Sequence, residues 1–374
     1  MTREELASQF QEWEQPAFRV EQLLHWLYER RAEAWEQMTN LPKALREQLQ
    51  RHYGLRPLAL ARLQGAPDST RKFLWKLDDG ALIESVLIPA NPALYGEPSD
   101  RHTLCVSTQV GCAYGCKFCA SGLAGWKRHL RVDELVEQVL AVERWSAAET
   151  SGTAASPSAA APAGGDRPAA APDSRLINNV VVMGMGEPLA NYENLLKALR
   201  ILNAPWGGGI GARRITISTS GLVPEIRRLA DEPLQLRLAI SLHGASDETR
   251  NRIMPINRRY PLRALTAACE YYQQRKERMI TLEYILIAGV NDHIRETRPL
   301  ALLARRLHAK INLIPYNKVD GLPWERPTEP AQDAFLAALQ QHNVIATLRR
   351  EKGHEIDAAC GQLRLKTERE LAAR

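Results

Sequence analysis

Three of the six cysteines in this 374-residue chain fall within eight residues, Cys112, Cys116 and Cys119 in Gly111-Cys112-Ala113-Tyr114-Gly115-Cys116-Lys117-Phe118-Cys119. Thiolates suit zinc and iron–sulfur clusters. A structural zinc site closes with four ligands, usually supplied as two short pairs, and an electron-transfer cluster takes four cysteines. A run of three completes neither pattern. It can give a four-iron cluster three thiolates and leave one iron open to bind and reduce a cosubstrate. Zinc completed by His129 or a distant side chain, and plain packing of three thiols, stay open as alternatives at this level. Cys269, at helical spacing among small and apolar residues in Leu265-Thr266-Ala267-Ala268-Cys269-Glu270-Tyr271, reads as a core thiol. Cys360 follows the polar run Gly353-His354-Glu355-Ile356-Asp357 and precedes Gly361, which reads as an exposed loop where a thiolate can be reached.

A second set of polar residues follows short apolar runs. In Met183-Gly184-Met185-Gly186-Glu187-Pro188-Leu189 the glycines let backbone approach a ligand closely, and the Glu187 carboxylate can accept from the ammonium of an amino acid. A dinucleotide fingerprint is excluded, because no third glycine opens a helix. Ser218-Thr219-Ser220-Gly221, Ser241-Leu242-His243 and Pro315-Tyr316-Asn317 end three further runs. Each alone is a common strand-to-turn sequence. Their shared position at strand ends gives them meaning, because ligands of parallel α/β folds collect there.

The elements that must hold these residues can be read from periodicity. Residues 4 to 55 are helical in pattern, with Phe18, Leu23, Leu24, Leu27 and Tyr28 on one face and Pro42 opening a helix through Leu49. Lys72 to Leu77 and Ile83 to Ile88 alternate as strands around the turn Asp78-Asp79-Gly80. Strands are then expected at Thr103–Thr108, Asn179–Met183, Arg214–Ser218, Leu236–Ser241, Met279–Ile287 and Ile311–Ile314, separated by amphipathic helices, which predicts a parallel α/β architecture. Ala147 through Ser174, almost all Ala, Pro, Ser, Gly and Thr, has too little apolar bulk to offset ordering entropy and reads as a disordered insertion after a helix ending near Trp145.

Composition bounds the rest. Apolar content of 45% and charged content of 25% are those of a globular chain. No run approaches the ~20 apolar residues of a membrane span, the start lacks a secretory pattern, and crowded cysteines argue for a reducing compartment. A cytoplasmic protein is expected. The net charge of +6, with basic clusters at Lys127-Arg128-His129-Leu130-Arg131, Arg213-Arg214, Arg258-Arg259, Arg275-Lys276 and Arg349-Arg350, permits an anionic partner.

The Cys-x3-Cys-x2-Cys spacing, with an aromatic residue before the last cysteine, resembles the signature of the radical S-adenosylmethionine (SAM) superfamily, and Gly186-Glu187-Pro188 is similar to its GEP element. Cys105 to Cys112, Gly184 to Leu189, Arg214 to Gly221, Met254 to Asn257, Ile311 to Pro315 and Asp357 to Leu363 together resemble the RlmN/Cfr family of RNA adenine methyltransferases. Pro16-Ala17-Phe18-Arg19 and Met38-Thr39-Asn40-Leu41-Pro42 are similar to the N-terminal accessory domain of its RlmN branch. The resemblance implies a radical SAM partial (β/α)6 barrel over 102–345, interrupted by 147–174. It also implies a helical accessory domain over 1–60, a β-hairpin connector over 61–101, and a C-terminal segment over 346–374 that carries the methyl-accepting cysteine.

It further implies a [4Fe-4S] cluster on Cys112, Cys116 and Cys119, and SAM held by Gly186, Glu187, Ser218, Ser241, Leu242, His243 and Asn317. Cys360 becomes the methyl carrier, Cys105 its partner thiol and Glu84 the proton acceptor. Adenine C2 is electron-poor, so direct polar attack on the methyl of SAM is a poor route. The implied relay uses two SAM molecules per turnover: one methylates Cys360, and the second yields a 5′-deoxyadenosyl radical that activates that methyl for addition to the base. The implied substrates are adenine 2503 of 23S ribosomal RNA and adenine 37 of transfer RNA, with C8 methylation as the sister activity. The implied electron donor is low in potential, such as flavodoxin or ferredoxin, and the enzyme acts as a monomer away from membranes.

Overall fold

The computed structural model describes residues 1–66, 69–90, 101–123, 125–150, 175–319 and 321–349. Helix α1 (Arg3–Glu12) opens on a capping box between Thr2 and Glu5 and buries Leu6 and Phe10. Helix α2 (Phe18–Leu24) runs on through a π-helical turn, His25–Glu29, burying Val20, Leu23, Leu24 and Tyr28. Pro42 caps α3 (Lys43–His52), as its fixed φ favours. Of the expected apolar face, Phe18 is the exception: as the first residue of α2 it points outward, 55% exposed, with the Arg19 guanidinium 4.8 Å from its ring centroid.

The three helices share one core with the sheet and its covering helices. Tyr28 meets the Trp206 ring edge-on at 5.6 Å, and Arg31 pairs with the buried Glu143 at 3.2 Å.

Ten strands form one sheet in the order β1 (Ala59–Gln64), β2 (Arg71–Lys76), β3 (Leu82–Pro89), β4 (His102–Cys105), β7 (Asn179–Val182), β8 (Ile215–Thr219), β9 (Arg237–Ser241), β10 (Thr281–Leu286), β11 (Lys310–Pro315) and β12 (Ala346–Leu348). Pairing is antiparallel from β1 to β4 and parallel from β4 to β12. The parallel strands alternate apolar residues with polar ones such as Thr216, Ser218, Glu283 and Asn312: Ile215, Ile217, Leu238, Ile240, Leu282 and Tyr284 are buried, as helices covering the sheet require. The covering helices are α5 (Val132–Thr150), α6 (Tyr192–Asn203), α7 (Val223–Asp231), α8 (Asp247–Ile253), α9 (Leu262–Lys276), α10 (Thr297–Arg306) and α11 (Glu329–Gln341); a single turn, α4 (Ala120–Leu123), precedes them. The six expected parallel strands are present as β4 and β7 to β11, the partial barrel that the resemblance implies.

Three differences have physical causes. The strand expected over Thr103–Thr108 stops at Cys105, and Gln109–Gly111 turns aside as β5 to pair with β6 (Trp126–His129). Gly111 permits this crossing: its φ is +79°, and a Cβ there would lie 1.9 Å from the Gly125 carbonyl. Helix α5 continues to Thr150, so Ala147 to Thr150 are helical and not part of an insertion. The rest of that expected insertion, 151–174, lies outside the described residues. Strands β1 and β12 were not anticipated, because Ala59–Gln64 holds no β-branched or aromatic residue and β12 has three residues.

Candidate cofactor site

The carboxyl ends of the parallel strands converge on one open cavity of about 150 Å³, lined by Cys112, Cys116, Cys119, Gly186, Glu187, Ser218, Ser241 and His243 among others. Glycine makes the approach of β4 and β7 possible. A Cβ on Gly184 would sit 2.7 Å from the Val106 carbonyl oxygen, and one on Gly186, at φ +101°, 2.6 Å from Gln109 Cβ. The chain can then present Glu187, whose Oε2 accepts from the Ser220 N–H (2.8 Å) and hydroxyl (2.7 Å) and whose Oε1 accepts from the Leu189 N–H (3.1 Å). Burial holds this carboxyl above the ordinary carboxylate range, against the pull of those donors. Oε1, with one donor, keeps acceptor capacity toward a cation in the cavity.

The cysteine loop is tied down from two later parts of the chain. The Lys117 N–H donates to the Ile253 carbonyl (2.9 Å), and Trp324 Nε1 donates to the Lys117 carbonyl (2.7 Å). Burial pushes the Cys112 thiol up to about 11 and raises Cys116 and Cys119 as well, with the neighbouring thiols adding to the effect at Cys112 and Cys116. Three thiolates can gather here only beside compensating positive charge, which a metal centre brings. Among the described residues no three side chains of ligand type converge on a single metal ion, as a closed zinc site demands. A four-iron cube, in which each thiol meets its own iron, makes no such demand.

His243 packs edge-on beneath Phe118 at 4.9 Å. Its Nδ1 accepts from the Ile285 N–H (3.0 Å), which places the proton on Nε2. Burial, helped by Arg250, lowers its pKa to about 3, so the ring is neutral.

The first 54 residues match the N-terminal domain of ribosomal RNA large subunit methyltransferases, and residues 171–300 match the radical SAM superfamily. A probable dual-specificity RNA methyltransferase RlmN 3 of Opitutus terrae is 52% identical over 99% of this chain and 94% of its own length. The corresponding protein of Akkermansia muciniphila is 47% identical over 100% and 96%. A crystal structure of a radical SAM methyltransferase from Sphaerobacter thermophilus superposes with a TM-score of 0.85 at 42% identity, covering 97% of this chain and 98% of that one. The chain belongs to the RlmN family. Its cofactors are those of radical SAM proteins, a four-iron cluster and SAM, and the open-ended thiol set beside Glu187 fits them.

The other residues singled out in the sequence fall into three groups. Leu242 and Asn317 are buried next to the cavity: the Leu242 carbonyl accepts from Arg250, and Asn317 Oδ1 accepts from Arg326 at 3.2 Å. Glu84 and Cys105 sit on the inner face of the antiparallel strands, where Cys105 lies opposite Val86 and packs with it and Met185. Glu84 is fully buried, with the equally buried Lys72 ammonium 3.5 Å away, and the Ser107 hydroxyl donates to its carbonyl (2.6 Å). Cys360 lies outside the described residues. Sequence reasoning missed Ser220, Glu283, Phe118 and Met254 in the cavity wall of this RlmN family member, and Arg250 behind it. Glu283 had a signal, a carboxylate amid the apolar run Leu282–Leu286, and its Oε2 accepts from Asn312 (2.7 Å).

Proposed function

We propose that this chain is a SAM-dependent radical methyltransferase that methylates C2 of adenine 2503 in 23S ribosomal RNA and of adenine 37 in transfer RNA. Cys112, Cys116 and Cys119 would hold the four-iron cluster, with Glu187 and the strand-end residues Gly186, Ser218, Ser241, Leu242, His243 and Asn317 around SAM. When bound, cluster and SAM together supply a 5′-deoxyadenosyl radical. The chain's own residues do the rest. Cys360 takes a methyl by displacement from a first SAM and carries it, as a thioether, to the base. Glu84 accepts the C2 proton once the carbon bridge is made. The Cys105 thiolate then attacks the sulfur of Cys360: a disulfide forms as the carbon–sulfur bond breaks, the released methylene carbon takes up a proton to become the methyl group, and the unpaired electron left by radical addition would pass back to the cluster as the methylated base leaves. Reduction of that disulfide resets both thiols.

One observation carries this reading beyond the family. Glu84 and Cys105 are on the same inner face of adjacent strands, β3 and β4, and β4 is followed, through the short β5, by the cysteine loop. A net charge of +6 suits an RNA partner, and the match of residues 1–54 to a ribosomal RNA methyltransferase domain favours the RlmN branch. A low-potential flavodoxin or ferredoxin would deliver the electron to a monomeric, cytoplasmic enzyme.

Two measurements test the proposal. Digested ribosomal and transfer RNA from cells with and without the gene should differ in 2-methyladenine by mass spectrometry; 8-methyladenine would redirect the assignment to the sister activity. Purified Cys105→Ala protein, given RNA and SAM under reducing anaerobic conditions, should retain covalently bound RNA on denaturing gels. Normal turnover by that variant would remove Cys105 from the mechanism.

A further inference from the structure

Arg250, in α8, is fully buried, and its hydrogen bonds all reach uncharged acceptors: Asn257 Oδ1 (2.8 Å) from Nε, the Ser241 (3.1 Å) and Leu242 carbonyls from Nη1, and the Ser220 carbonyl (3.0 Å) from Nη2. Four of its five donors are thereby engaged, and among the described residues no carboxylate bonds to it directly; Asp247 acts on it only through space, with Asn257 between them. Removing a guanidinium from water without a counter-charge is costly, and hydrogen bonds to neutral carbonyls recover part of that cost only. A fold that needed only to tie three carbonyls together could use a neutral donor. The retained charge therefore points to an anion that joins later.

The geometry says where that anion sits. The carbonyls held by Arg250 belong to the ends of β8 and β9, which form the cavity wall with Ser218, Ser220 and Ser241. Three residues along, Ile253 accepts from the Lys117 N–H, between Cys116 and Cys119, and Met254 lines the cavity beside the thiols. Burial lowers Arg250 to about 10, with Cys116 the foremost opposing influence, so it is charged at neutral pH.

We propose that Arg250 is the built-in counter-charge of the cluster, a fixed buried cation that stabilises its reduced state and so raises its reduction potential. The proposal rests on the reading that Cys112, Cys116 and Cys119 hold the cluster. Three thiolates around a four-iron core leave a net negative charge, and reduction adds one more; a cation in a region of low dielectric then favours the reduced form. With its donors occupied by carbonyls, Arg250 acts across space, as a positioning residue.

The test uses the full chain, reconstituted with iron and sulfide without oxygen and titrated with reductant while the reduced cluster is followed by electron paramagnetic resonance. Arg250→Gln removes the charge and keeps a hydrogen-bonding amide; Arg250→Lys keeps the charge and loses the fork. At a fixed potential, Arg250→Gln should show at least a tenfold lower ratio of reduced to oxidised cluster, about 59 mV for a one-electron couple, while Arg250→Lys should titrate like the parent. A parent-like potential in Arg250→Gln, or a potential in Arg250→Lys as low as in Arg250→Gln, overturns the proposal. If Arg250→Gln does not fold, Arg250→Lys decides: a parent-like potential supports the charge, a lowered one refutes it. Iron content separates the underlying reading from this one, because Cys116→Ala protein with full iron would discredit the ligand assignment whatever the potentials.

Discussion

Glu187 and Glu84 are both buried carboxylates of this barrel, and their surroundings are built differently. Glu187 is solvated by the protein itself, through backbone N–H groups of Leu189 and Ser220 and the Ser220 hydroxyl. Glu84 faces the side chain of Lys72 on the neighbouring strand. The first arrangement follows from the path of the chain, so it survives most substitutions nearby. The second rests on a charge pair between side chains. The cofactor side of the molecule is therefore pre-formed, whereas the antiparallel strands carry a buried charge pair.

The largest effect on cofactor binding should come from removing Glu187. Glu187→Ala leaves the Ser220 and Leu189 donors without their acceptor and takes the negative charge from the cavity. SAM affinity should fall by about 10- to 100-fold, the loss expected for a buried charge-assisted contact, as read by equilibrium dialysis on iron-loaded protein. Unchanged SAM binding would show that Glu187 serves the fold alone.

Next is the pair on the other side. Lys72→Met should destabilise the protein by about 3–5 kcal/mol, the cost of breaking a buried ion pair from one end, measured by denaturant unfolding. The double variant Lys72→Met/Glu84→Gln should recover most of that loss. Simple additivity of the two single changes would mean that the pair is not coupled.

A smaller effect is set by pH on the cofactor side. His243 is held neutral, its folded pKa depressed from about 6.5 to about 3, so its contribution to stability is complete above pH 6.5 and is lost as pH falls toward 3. The slope is at most about 1.4 kcal/mol per pH unit. Protonation would turn Nδ1 from acceptor to donor against the Ile285 N–H. A His243→Gln variant should lose that part of the acid sensitivity, and an unchanged acid profile would refute the assignment.

The smallest should be Cys269→Ala. This thiol is buried in α9, where burial pushes it up to about 12 and keeps it protonated. The variant should lose about 1 kcal/mol of stability and no activity, in contrast to Cys105→Ala.

The same contrast governs what could be read from the sequence. Cysteine spacing, the GEP element and polar residues closing apolar runs were legible, because their chemistry is local and each parallel strand between them carries a buried apolar row. Arg250 was not: in Thr249-Arg250-Asn251-Arg252 it reads as one more solvated basic residue, and only the packing of α8 against the ends of β8 and β9 buries it. Lys72, beside Arg71, hid in the same way, since both look like surface charge and both are buried. Phe18 failed in the other direction, an apolar residue that the helix start turns outward. Periodicity locates an element. It does not say which polar residue of that element a distant partner will enclose.

The double tether on Lys117 has a consequence for how the enzyme is made. The loop with the cysteines is held by Ile253 and by Trp324, the latter 207 residues further along. Synthesis proceeds from the amino terminus at about 5–20 residues per second, so the thiols leave the ribosome many seconds before the tryptophan that braces them. Until Ile253 emerges the loop lacks both anchors, and until Trp324 follows it lacks the second, so that its sulfurs are open to oxidation. Loading with iron is thus expected once Trp324 has emerged, and cells short of cluster-assembly capacity should accumulate this protein complete in length but empty of metal.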